Sequence, residues 1–153
     1  GTGRDRGVVG HATSSDLQNW TVQPPLSEPG AGFAHLEVLQ LVTIEDRHVL
    51  LFSCDTAHLA GERQTDDSTG GIWALPLASD RLEHPLDIAS ATRLTSEDLY
   101  AGRAVRTRSG GWVLLAFENL DTEGTFISGI SDPLPLAWTP DGSLCLVPAG
   151  VRA

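Results

Sequence analysis

Apolar positions along the chain come in short runs broken by Gly, Asp and Ser, and no segment sustains the 3.6-residue period of an amphipathic helix. Runs rich in Val, Ile, Leu and aromatics between turn residues are β signals. Two pairs of runs read as hairpins. In 36–52, an apolar stretch from Val38 to Ile44 meets a turn at Glu45-Asp46-Arg47 and returns as Val49-Leu50-Leu51-Phe52. In 99–117, the chain passes Ala104-Val105, turns at Ser109-Gly110-Gly111 and returns from Trp112 to Phe117. Val113-Leu114-Leu115 follows Val49-Leu50-Leu51 by 64 residues.

A second element recurs three times: a glycine, a strand-like run, then Ser-Asp with a leucine close behind. Its copies start at Gly7, Gly71 and Gly124 and reach Ser15-Asp16-Leu17, Ser79-Asp80-Arg81-Leu82 and Ser131-Asp132-Pro133-Leu134. One copy alone would be a turn signal, because Ser and Asp side chains bond nearby backbone. Three copies in near register, two preceded by hairpins, predict a repeat-built all-β protein. Hairpin, strand, Ser-Asp-Leu turn and outer strand together supply the four strands of a β-propeller blade. The expected architecture is one partial propeller domain over 1–153 with about three four-stranded blades, in units 1–34, 35–98 and 99–153. A β-sandwich of the same strands is the alternative. Since propellers close at about four to eight blades, an exposed blade face and strand edge are expected, and with them self-association through that face.

Composition narrows the partners. The 153 residues carry 10 Lys+Arg, all of them Arg, against 20 Asp+Glu, a formal net charge of −10. Nucleic acid and anionic membrane surfaces both call for clustered cations, so neither is expected as a partner. No apolar run approaches the roughly 18 residues of a membrane span, and the expectation is a soluble chain of unassigned compartment. There is no Met and the chain opens Gly1-Thr2-Gly3, which suggests a piece of a longer protein. Cys54 and Cys145 are too few for a disulfide framework and are expected as buried thiols.

Candidate chemistry falls to the carboxylates, for the chain holds no Gly-x-Ser-x-Gly nucleophile elbow and no phosphate-binding glycine loop. His11, His35, His48, His58 and His84 are scattered without metal-ligand spacing; neither metal nor cofactor is expected. Glu37 stands among Phe33, Leu36, Val38 and Leu39, where a buried carboxylate is costly and so tends to stay protonated, as a general acid must. Strand alternation offers the other reading, with Glu37 pointing to solvent. The equivalent position of the next repeat carries Glu97-Asp98-Leu99-Tyr100-Ala101-Gly102-Arg103. If both inner strands line one channel, Tyr100 provides a stacking face and Arg103 several donors for a polyhydroxylated ligand.

The segment from Gly7 to Trp20, with Ser14-Ser15-Asp16-Leu17-Gln18-Asn19-Trp20, resembles the Ser-x-Asp-Leu-x-x-Trp strand and turn of the five-bladed propeller glycoside hydrolases of family 32, the invertases, levanases and inulinases. In that family a Trp-Glu-Cys-Pro segment bearing the general acid/base follows, and later an Asp-Phe-Tyr-Ala segment at the fructose site. Here His35-Leu36-Glu37-Val38 and Asp98-Leu99-Tyr100-Ala101 occupy these places in order, with Leu36 and Val38 in place of Trp and Cys. The resemblance implies a partial five-bladed propeller, an oligo- or polysaccharide substrate, Glu37 as acid/base, and Asp98, Tyr100, Arg103 and His35 around the sugar. The family's nucleophile and stabilising aspartates lie in Asn-Asp-Pro and Arg-Asp-Pro motifs upstream of the Ser-x-Asp-Leu turn. Neither motif occurs in this chain, and Arg4-Asp5-Arg6 lacks the proline. The chain therefore reads as the later portion of a retaining β-fructofuranosidase, inactive alone. Two alternatives stand beside it: a non-catalytic carbohydrate-binding or assembly module, and a related five-bladed hydrolase of arabinan or xylan.

Overall fold

The computed structural model describes residues 5–79, 85–121 and 123–148, apart from the side chain of Leu120. Arg4, the Asp80-Arg81-Leu82 end of the second repeat copy, and His84 lie outside the described residues. Three antiparallel sheets follow one another. The first is the hairpin of β1 (His11–Thr13) and β2 (Thr21–Gln23). The second is a four-stranded meander of β3 (Glu37–Ile44), β4 (Arg47–Cys54), β5 (Gly71–Leu77) and β6 (Thr92–Arg93). The third comprises β7 (Leu99–Arg106), β8 (Trp112–Leu120), β9 (Phe126–Ile130), β10 (Leu134–Trp138) and β11 (Leu144–Leu146). The protein is all-β and consistent with a partial β-propeller, its described strands forming a two-, a four- and a five-stranded antiparallel sheet. Among the described residues the helical segments are three short 3-10 turns, and no helix is long and apolar enough to cross a membrane.

Burial explains why β4 reads as an unbroken apolar run. Val49 to Cys54 are all buried, because alternate residues of one strand face opposite sides and both sides are covered. Leu50, Phe52 and Cys54 join Trp73 and Leu75 in a core with Val9, Leu26, Phe33, Leu59 and Ile88. Val49 and Leu51 join Ile72 and Ala74 in a second core with Ala104, Leu114, Ala116, Leu136 and Leu144. The middle blade is thus packed on both faces, with the chain before it on one side and the β7–β11 sheet on the other. Arg63 pins the first core from its rim. Its guanidinium lies 4.7 Å from the Phe33 ring centroid and 4.8 Å from that of Trp73, and it donates to the Ala31 and Ala91 carbonyls. Of the two cysteines only Cys54 is buried; Cys145, near the end of the outer blade, is half-buried.

The two described Ser-Asp copies, the first and the third, do not share one role. Asp16 builds the turn between β1 and β2: its carboxylate accepts from the Gln18 and Asn19 amides at 2.9 and 2.8 Å and from Asn19 Nδ2 at 2.7 Å. These donors hold its carboxyl well below the usual carboxylate range. Ser131-Asp132-Pro133, in contrast, is no turn to an outer strand. β9 and β10 both pair with β8, so the segment is a kink within one strand line. Pro133 has no N–H to give the ladder, and Ser131 bridges the gap by accepting from the Ala116 amide and donating to its carbonyl. The outer turn falls at 139–143, where the Thr139 amide donates to the Ser143 carbonyl at 2.9 Å.

Candidate active site

β3 and β7 are the first strands of adjacent blades, and each carries a bulge at the same place. Glu37 pairs with Ser53 and Gln40 with Leu51, so two residues of β3 oppose one of β4. Tyr100 pairs with Phe117 and Arg103 with Leu115 in the same way. Val38 and Ala101 hold the positive φ of these bulges, 53° and 52°. A bulge bends its strand and re-aims its side chains, and here it aligns Glu37 with Tyr100, and Gln40 with Arg103, as equivalent positions.

The two strands are locked together through those positions. Gln40 donates to the Ala104 carbonyl at 3.0 Å and accepts from the Ala104 amide at 2.9 Å. Arg103 Nη1 donates to the carbonyls of Val38 and Leu39 at 2.9 and 3.0 Å, and the Ala101 amide donates to Ser53 Oγ at 3.1 Å. Across this seam the Tyr100 hydroxyl donates to Glu37 Oε2 at 2.8 Å. Burial, then the carboxylate beside it, pushes the Tyr100 phenol far above its ordinary value. Gly102, in the β7 bulge, lets β7 lie close on β5, since a Cβ there would stand 2.6 Å from Ile72 Cδ1 and 3.0 Å from Leu114 Cδ1.

Glu37 itself is open. Its side chain is 47% exposed, and of its apolar sequence neighbours only Phe33 lies deep in the core, while Val38 and Leu39 are exposed. The apolar burial that one reading of the sequence allowed does not surround it; the alternation toward solvent prevails, because the bulge turns the carboxylate outward. Its surroundings are polar. His35 Nε2 stands 3.8 Å from Glu37 Oε2 and 3.8 Å from Asp55 Oδ2. Asp55 in turn accepts from the His58 ring nitrogen Nδ1 at 2.7 Å, and the His35 and His58 rings lie tilted by 35° with centroids 4.1 Å apart.

The structure thus brings Glu37, Tyr100, Arg103 and His35 into one neighbourhood. Asp98 is exposed, its carboxylate accepts from Ser96 Oγ, and it makes no hydrogen bond to the other four among the described residues. Asp5 is structural, its carboxylate accepting from the Gly32 and Phe33 amides at 2.8 and 3.1 Å. Asp55 and His58 were not singled out from the sequence. The signal was short: an aspartate three residues before a histidine, just after β4 returns to the end where Glu37 sits, with Asp55 capping the 3-10 turn Thr56–His58.

Paired blades joined at their inner strands, with a carboxylate at the seam, define the fold as that of a propeller segment. No family model matches the chain, and no curated protein matches it in sequence. Among solved structures it is similar to the sucrose-6-phosphate hydrolase from Lactobacillus gasseri, with a TM-score of 0.61 and 18% sequence identity over 95% of this chain. The chain spans 32% of the length of that protein. Such a likeness shows a shared fold.

Proposed function

We propose that this chain carries the acid/base portion of a retaining glycoside hydrolase of family 32 type that cleaves β-fructofuranosides such as sucrose, levan or inulin. The observation that carries the reading is the seam contact: Glu37 on one inner strand receives the Tyr100 hydroxyl from the next at 2.8 Å, so one exposed carboxylate is fixed in direction beside an aromatic ring. In this role Glu37 protonates the leaving glycosidic oxygen and then, as carboxylate, activates the water that releases the sugar. Tyr100 orients Glu37 and offers its ring to the sugar. Arg103 braces the bulge that presents Glu37, and its exposed edge, with His35 and Asp98, binds hydroxyls. The fold likeness to a sucrose-6-phosphate hydrolase supports a carbohydrate substrate. A retaining site needs a nucleophile carboxyl about 5–5.5 Å from the acid, and in this proposal a segment outside the chain supplies it.

Two measurements test the reading. The 153-residue chain alone should release no fructose from sucrose, levan or inulin; release that Glu37→Gln abolishes would show the chain to be self-sufficient. In a longer protein containing the chain, Glu37→Gln should lower kcat roughly 10²–10⁴-fold on natural substrates. It should cost much less on a fructoside whose leaving group needs no protonation. Equal losses on both would remove Glu37 from the acid role.

A further inference from the structure

We propose that His35, Asp55 and His58 form a binding site for a divalent transition-metal ion of the zinc class, with Glu37 placed to close it as an exchangeable fourth ligand. The first observation is the cluster: one ligand atom from each of the three residues lies within 4.8 Å of the others. The second is an orphan. His35 Nε2 is shielded from solvent and has no hydrogen-bond partner, a condition few buried polar atoms tolerate. It faces two carboxylate oxygens, of Asp55 and Glu37, each at 3.8 Å. That separation is too long for a hydrogen bond. It suits two ligands of one ion, which stand roughly 3–4 Å apart when each is about 2.0–2.2 Å from zinc.

Donor chemistry sets the class of ion. Two imidazoles with carboxylates favour zinc and its late first-row neighbours, whereas magnesium and calcium seek oxygen-only shells. Two carboxylates also balance the charge of a divalent cation. The site is partly preorganised: Asp55 is held by the His58 backbone amide at 2.9 Å, and the two imidazoles lie close, with centroids 4.1 Å apart. His58 is 48% exposed, so its ring can rotate to complete the shell, giving up the Nδ1 contact with Asp55 and releasing that proton to solvent. Three protein ligands and one exchangeable position make an open site. Binding at this site does not depend on the glycosidase reading. Only one corollary rests on it: an ion that draws in Glu37 removes that carboxylate from acid/base work.

The test is equilibrium dialysis of the whole chain against zinc, with magnesium in parallel. Retention of one zinc per chain is expected, weakened roughly 10–100-fold by His58→Ala and by Asp55→Asn, and unchanged by His11→Ala. Circular dichroism confirms that each variant is folded; His58, being exposed, is the safest substitution. Cobalt in place of zinc should give visible absorption of a low-symmetry site that Glu37→Gln alters and His58→Ala abolishes. Zinc retention that His58→Ala and Asp55→Asn leave intact, equal retention of magnesium, or no retention at all would overturn the proposal, and His35 would then be an imidazole paired with two carboxylates. Zinc binding together with an unimpaired Glu37→Gln enzyme would uphold this site and reject only the glycosidase role.

Discussion

Tyr100 is the sole tyrosine of the chain, so phenolate absorption reports one group. Burial first and Glu37 second raise its ionisation above the ordinary 10.0. The phenolate band should therefore emerge only well above pH 10, and Glu37→Gln should bring it down part of the way, since burial remains. A midpoint that the substitution leaves unmoved would show that the 2.8 Å contact does not persist in solution. Cys54 behaves alike: burial, with Asp55 next, pushes its thiol from 9.0 up to about 12. Both groups hold their protons more tightly in the folded chain than in the unfolded one. Their contribution is thus complete below pH 9 and is lost as pH rises, from 9 toward 12 for Cys54 and from 10 upward for Tyr100. Denaturant midpoints should be flat with respect to these groups at neutral pH and fall in that alkaline window, and the fall should be smaller in Cys54→Ala. Some of this was readable from sequence. His35-Leu36-Glu37-Val38 and Asp98-Leu99-Tyr100-Ala101 begin equivalent hairpins, which put Glu37 and Tyr100 toward one cavity without foretelling their contact. Asp55 and His58 were not readable, because their meeting with His35 depends on where the chain turns after β4.

At the scale of the strands, the close packing of β7 against β5 rests on a missing side chain. A Cβ at Gly102 would enter the space of Ile72 Cδ1 at 2.6 Å, and both neighbours belong to a close-packed core. Gly102→Ala should therefore cost about 1–3 kcal/mol, lowering the thermal midpoint by several degrees. It should also loosen the Tyr100–Glu37 contact next door, visible as an earlier phenolate titration. Gly111→Ala, with no backbone or core neighbour so near, serves as control. The hairpins were legible because the returning strands β4 and β8 are apolar runs that pack into the core and are reached by short polar turns. The bulges were not, because one extra residue leaves the apolar pattern almost intact. The third Ser-Asp copy misled for a related reason: local composition marks a break in pairing without saying whether the chain reverses or, as at Pro133, carries on.

For the whole molecule, the middle blade is covered on both faces while the ends are not. Phe126, Ile127 and Ile130 of β9 are 60%, 48% and 66% exposed, and Leu17, Trp20 and Val22 at the opposite end are exposed as well. Apolar surface of this kind seeks cover, and we expect a second copy of the chain to supply it. Light scattering at micromolar concentration should give a mass above that of the 16.3 kDa monomer, reduced by Ile130→Asp; a strict monomer would count against it. The propeller class was legible at this scale because a blade repeats, so each short motif was read more than once. Repetition also bears on how such a site arises. The bulges at Val38 and Ala101 are one backbone slot made twice, filled by an acid in one copy and a phenol in the other. Duplication followed by divergence of a single position is enough to set unlike reagents face to face. Each further copy of the slot adds a place for new chemistry without any change of scaffold.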